Sequence, residues 1–201
     1  MPKAKQSRKN ASKSRLVLLA GLSVVILLAV TGVLYHNHQA SLAKQKHAAE
    51  LAQQKYQADL KQFGKLDSEY IDVYSQLVQS SNLTKSQAEW DSFYDTQISR
   101  VQDIKTAIAN ASFSDFSGSK LDAVGSQLSM DCDHLSYLLN LGKSNIDIQY
   151  QIDEDKAAGD SAQLSADQQT NQTQQAELKD AFNVVTQDGV KITSAAQGLG
   201  L

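Results

Sequence analysis

From Leu16 to Tyr35 the chain runs for twenty residues without a charged side chain, and the fifteen residues before it carry Lys3, Lys5, Arg8, Lys9, Lys13 and Arg15 but no acid. At about 1.5 Å of rise per residue, a helix of twenty residues covers the roughly 30 Å hydrocarbon core of a bilayer. One crossing is therefore predicted, with the lipid bilayer as the partner of Leu16 to Tyr35. A cationic flank of this kind stays on the cytoplasmic side. The expected arrangement is a single-pass protein of the cell membrane, its N-terminus cytoplasmic and its C-terminal domain extracytoplasmic. Tyr35 falls at the exit, where an aromatic ring with a polar tip suits the headgroup level.

A cleaved secretory signal is the alternative. Its apolar stretch runs about 7 to 15 residues and ends at small residues, whereas this one is longer and leaves through Tyr35-His36-Asn37-His38. A retained signal-anchor is the better reading. Cleavage would instead release the remainder as a secreted effector.

The 166 residues beyond the run suffice for one domain with a core. Residues 36–65 hold five lysines against Glu50 and Asp59, a net +3, and residues 66–201 hold eight basic and twenty acidic residues, a net −12. The basic stretch suits a juxtamembrane stalk near anionic headgroups. The acidic remainder argues against nucleic acid as a partner. Cys132 is the sole cysteine, so no disulfide can close within the chain, and its place on an apolar stripe predicts a buried, unreactive thiol. Asn82, Asn110 and Asn171 open glycosylation sequons, which arise readily by chance in Gln/Ser/Asn-rich sequence.

The one proline is Pro2, so no ring interrupts a helix downstream. Abundant Ala, Gln, Lys, Glu and Leu make the domain all-α. Breaks at Ser80 to Thr84, Ser112 to Ser119 and Ala157 to Ser161 divide it into four helical segments. In the first, Leu42, Ala49, Tyr56, Phe63, Tyr70 and Leu77 recur every seven residues, a stripe that packs against another helix; Gly64 is a candidate kink. The second opens with Thr84-x-x-Gln87, a capping-box pattern, and carries Trp90, Tyr94, Val101, Ile104 and Ile108. The third carries Leu121, Leu128, Cys132, Leu135, Leu139 and Ile146. In the fourth, Leu178, Phe182, Val185, Gly189, Ile192, Ala196 and Leu199 alternate steps of four and three. Residues 162–177, rich in Gln, Thr and Asn, are expected to fray or flex. Four stripes with short connections close as an antiparallel bundle: residues 36–65 form a coiled-coil-like stalk and 66–201 the acidic bundle.

No catalytic, cofactor or metal site is expected. Cys132 and His134 stand two apart on a helix and point away from each other, so they form no nucleophile–base dyad. Asp131 and His134 share a face, as do His47 and Glu50, but neither pair has the Glu-x-x-His order of bundle metal centres; both are read as solvated polar faces. His36 and His38 diverge likewise. Asp153 to Asp160 lacks the sixth-position glycine and twelfth-position glutamate of a calcium loop, which are Ala158 and Leu164 here, and is read as an acidic interhelix loop. The expected function is binding or scaffolding without catalysis, through a protein partner or self-association. The alternative is a sensory bundle holding a ligand between helices, with Tyr56, Tyr70, Tyr74, Trp90 and the stretch Gln168 to Gln175 as candidate lining.

Overall fold

The computed structural model describes residues 4–80, 85–116 and 118–201, with side chains described at 31 and from 33 onward. Among these residues there are four helices and no strand: α1 (Ala4–Ser80), α2 (Gln87–Asn110), α3 (Leu121–Ala158) and α4 (Ser161–Gly198). The chain divides into two compact units, residues 1–52 and 53–201.

In the first unit, every described side chain is solvent-exposed, including Val33, Leu34, Tyr35 and Leu51. Leu42 and Ala49, the first members of the heptad stripe, are exposed with them. The expected membrane run from Leu16 lies, up to residue 30, outside the residues with described side chains; among the described residues no helix is long and apolar enough to cross a membrane.

The second unit is a helical bundle, and its interhelical bonds give its order. Gln97 donates to Gln76 and Arg100 to Asp72 between α2 and α1. Lys143 donates to Asp95 and Lys105 to Asp133 between α3 and α2. His134 meets Asp188, and Asn145 meets Asn171, between α3 and α4. Tyr74 meets Thr186 between α1 and α4. In each doubled pairing one residue number rises as the other falls, so sequence neighbours run antiparallel and the ring closes from α4 back to α1. Phe63, Tyr70, Val73, Val101, Ile104, Leu128, Leu135, Leu139, Val185 and Ile192 fill the centre, each nearly or fully inaccessible. Burying one such aliphatic or aromatic side chain contributes roughly 1.5–3 kcal/mol. From Phe63 onward the α1 stripe is thus core, as its spacing predicts.

Local chemistry sets the boundaries. Thr84 lies outside the described residues; the capping box belongs to Ser86 and Glu89, whose side chain accepts from the Ser86 N–H at 2.8 Å while Ser86 Oγ accepts from the Glu89 N–H. A carboxylate both accepts more strongly than an amide and favours the positive end of the helix dipole, which explains the shift from the Thr84/Gln87 pattern. Helix α1 runs through Gly64, where the missing Cβ leaves room for Leu201 at 3.3 Å. The α2–α3 connection is pinned to α1: Lys55 donates to the Ser112 carbonyl and to Ser114 Oγ, Asp59 accepts from the Ser114 N–H, and Tyr56 stacks on Phe116.

Two expectations are corrected. Asp153 to Ala158 are the last residues of α3, not a loop; only Gly159, at φ 74°, and Asp160, which caps α4 through the Gln163 N–H, make the turn. The Gln-rich stretch 162–177 is helical throughout. Asn171 and Gln174 on this stretch pair with α3, Asn145 Nδ2 donating to Asn171 Oδ1 at 2.8 Å and Gln174 Nε2 to Ser144 Oγ at 2.9 Å, while most of its other polar side chains are exposed.

Candidate functional site

The α3–α4 seam carries charge in its interior. On α3, Asp131 lies three residues after Leu128 and four before Leu135, so the helix turns it inward with the leucines. It is fully buried, which corrects its reading as part of a solvated face. On α4, Asp188 lies three after Val185 and four before Ile192, and is 4% exposed. His134, one turn beyond Asp131, brings Nδ1 to 2.7 Å from Asp188 Oδ2, and Lys191 donates to Asp188 Oδ1 at 3.0 Å. Gln127 donates to Asp131 Oδ1 at 2.6 Å, whereas Asp131 Oδ2 is buried with no hydrogen-bond partner. The hydroxyl of Tyr70, from α1, is likewise buried and unpartnered. Asp131, His134 and Asp188 each bring a donor atom within 4.8 Å of the others.

Electrostatics divides these groups. Burial foremost raises the Asp131 carboxyl above its ordinary range, with Asp188 adding to the rise and Gln127 opposing it. At Asp188 burial also pushes upward, but the bonds from His134 and Lys191 outweigh it and the carboxyl titrates below its ordinary range. Burial, then Asp131, holds the Tyr70 hydroxyl in its neutral form. Cys132 is buried beside them and its thiol is pushed up to about 12, first by burial, so the thiolate needed for nucleophilic chemistry is scarce. Cys132 is fully buried, whereas the His134 side chain is 44% exposed.

Comparison with known proteins finds no family model, no curated relative and no solved structure that matches the chain.

His134 opens the cluster to solvent. It lines a cavity of about 330 Å³ together with Tyr137, Glu177, Asp180, Ala181 and Val184. A second charged pair crosses the same seam near the turn. Asp155 and Asp167 are both buried; Gln151 donates to Asp155 Oδ1 and Gln163 to Asp167 Oδ1, while Oδ2 of each carboxyl is buried with no hydrogen-bond partner. Burial, then the neighbouring Asp167, raises the Asp155 carboxyl. Two buried carboxylates placed side by side disfavour ionisation of both at once.

The other candidate residues disperse. His36, His38, His47 and Glu50 are exposed in the first unit. Trp90 lines a cavity of about 440 Å³ with Tyr94, Leu138, Leu178 and Phe182, whereas Tyr70 and Tyr74 line another of about 500 Å³ with Ile71, Thr186, Val190 and Gln197. Tyr56 stacks on Phe116 away from both. Asp188 was legible in the 185–188–192 spacing, but its charge and the neighbouring Gly189 favour reading the stripe one residue later.

Proposed function

We propose that the protein is a membrane-anchored, extracytoplasmic helical scaffold that acts by binding and not by catalysis. One observation carries this reading: an uncharged run from Leu16 to Tyr35 follows a head with six cationic side chains and no acid, inside a helix that extends to Ser80. The head remains cytoplasmic, the run holds the bilayer, and the bundle is presented outside. The stalk stripe at Leu42 and Ala49, exposed in the single chain, supports pairing with a second copy in parallel, because both copies enter the membrane in the same direction. Cell fractionation with intact-mass measurement tests the anchor. Full-length mass in the membrane supports it; a shortened species in the medium, beginning near Val33 or Ser41, would replace it with a secreted factor. Sedimentation of the full-length chain in detergent, with Leu42→Asp as the comparison, tests the pairing.

A ligand-binding bundle is the second reading. The cavity beside Trp90 and Tyr94, apolar apart from Ser80 and Lys179, favours it. A saturable thermal shift with an apolar ligand would support this role over the scaffold.

A further inference from the structure

We infer that Asp131, His134 and Asp188 form a binding site for a divalent transition-metal ion of the zinc class. Three observations converge. The donor atoms lie within 4.8 Å of one another and come from two helices of one packed seam, so the site is preformed. Asp131 is fully buried, reaches into that cluster, and has an oxygen, Oδ2, that no group of the protein satisfies. The Tyr70 hydroxyl is also buried and unsatisfied, with Asp131 and Asp188 among its charged neighbours. Buried polar atoms are nearly always paired. Two at one place call for a missing partner that can accept from several oxygens at once.

The chemistry of the donors selects the ion. One imidazole and two carboxylates suit zinc and its first-row neighbours, while magnesium and calcium prefer oxygen alone. At bonds of about 2.0–2.1 Å in tetrahedral geometry, adjacent donor atoms stand roughly 3.3 Å apart. His134 Nδ1 and Asp188 Oδ2, now 2.7 Å apart, need to part by only a few tenths of an ångström to share an ion. Lys191 remains on the other oxygen of Asp188, Oδ1, and Gln127 on Oδ1 of Asp131; these bonds orient the ligands as outer-shell partners do. Access is through His134, whose side chain is 44% exposed and borders the cavity lined by Glu177 and Asp180. Two carboxylates there draw cations toward the imidazole.

The test uses the full-length chain in detergent. Equilibrium dialysis against zinc with elemental analysis, and cobalt substitution followed by visible absorption, read stoichiometry and geometry. One equivalent of zinc and an intense tetrahedral cobalt spectrum are expected. His134→Gln, at a half-exposed position, should weaken binding by at least about tenfold, a loss that even outer-shell changes produce, and Asp188→Asn should do the same. Circular dichroism of both variants verifies the fold, and Asp153→Asn, on the exposed end of α3, should bind as the parent does. Absence of saturable binding, or one-equivalent binding that survives both His134→Gln and Asp188→Asn, would overturn the assignment.

Discussion

Helix α3 is shared by two seams built on opposite principles. Toward α2 it presents glycine and apolar surface: Gly142 receives the Tyr94 ring, and ion pairs such as Lys143–Asp95 and Lys105–Asp133 stay on the rim. Toward α4 it presents Ser144 and Asn145, which bond Gln174 and Asn171, His134, which meets Asp188, and the buried carboxyls Asp131 and Asp155. The first seam is stabilised by apolar contact, with no space for a Cβ at Gly142 unless Tyr94 moves. The second gains less free energy per residue, since a net hydrogen bond is worth only about 0.5–1.5 kcal/mol. It gains specificity instead, because a shift of one turn would strand several buried polar groups at once.

The largest effect that breaks this contrast is steric. A Cβ at Gly142 would meet Tyr94 atoms at 2.8–2.9 Å, closer than Cβ contacts allow, so the buried ring would have to shift. Gly142→Val should cost about 3 kcal/mol, the upper part of the range for overpacking. Urea unfolding of the parent and variant measures it. A cost below about 1 kcal/mol would mean that the α2–α3 seam is loose and that the two seams do not differ in the way described.

Next is the charge in the second seam. Asp188→Ala removes the acceptor of both His134 and Lys191. Hydrogen bonds to a charged group contribute about 1.5–3 kcal/mol, but both donors are partly exposed and recover water, so a loss of about 2 kcal/mol at neutral pH is expected. Equal stability of parent and variant would show that the seam is held by its apolar members, Leu135, Val185 and Ile192, alone.

Much of this arrangement could be read from residue order, and the exceptions have physical causes. The four helices follow from a chain without proline after Pro2 and from stripes such as Leu121–Leu128–Leu135, whose members are all buried. Position in a helix is periodic, and periodicity does not depend on residue chemistry. Asp131 and Asp188 occupy inward positions by spacing, yet carboxylates are rarely buried, so a reading by residue type assigns them outward. Phe182 shows the reverse error: it belongs to the apolar seam by type, but is 38% exposed and leans on Tyr74, while Ala181 takes the inward place. The polar stretch 162–177 looked unfit for packing because its partners, Ser144, Asn145 and Asp155, are distant in sequence. Nothing local to residues 162–177 announces them.

The pH response separates the two carboxyl pairs of the polar seam. Asp188 titrates below its ordinary range when folded, so its contribution is present above the unfolded carboxylate pKa and is lost as pH falls through the lowered folded value. Asp155 titrates above its ordinary range, so its contribution is complete below the unfolded pKa and is lost as pH rises through the raised folded value. Thermal midpoints across pH should therefore decline on both sides, for different residues. Asp155→Asn removes the Asp155 titration and should reduce the upper decline, the remainder belonging to the raised Asp131, while leaving the acid side unchanged. Asp188→Asn should act on the acid side instead. If one variant altered both sides, the pairs would be coupled through the intervening turns of α3 and could not be treated as independent devices.

The smallest expected effect concerns Lys191, and it decides which cation holds Asp188. Lys191 reaches Asp188 from three residues ahead on the same helix, with a side chain 62% exposed, whereas His134 reaches it across the seam. An exposed pair of this kind contributes about 0.5 kcal/mol, because holding a long side chain in place costs nearly what the screened attraction returns. Lys191→Gln should lose about that amount, and should move the acid decline slightly upward in pH, since one of the two groups lowering the Asp188 pKa is gone. A double-mutant cycle of Lys191→Gln with Asp188→Ala isolates the pair. A coupling energy above about 1.5 kcal/mol would transfer the role to Lys191, making Asp188 a pair within α4 and leaving His134 free to act toward the cavity beside Glu177 and Asp180.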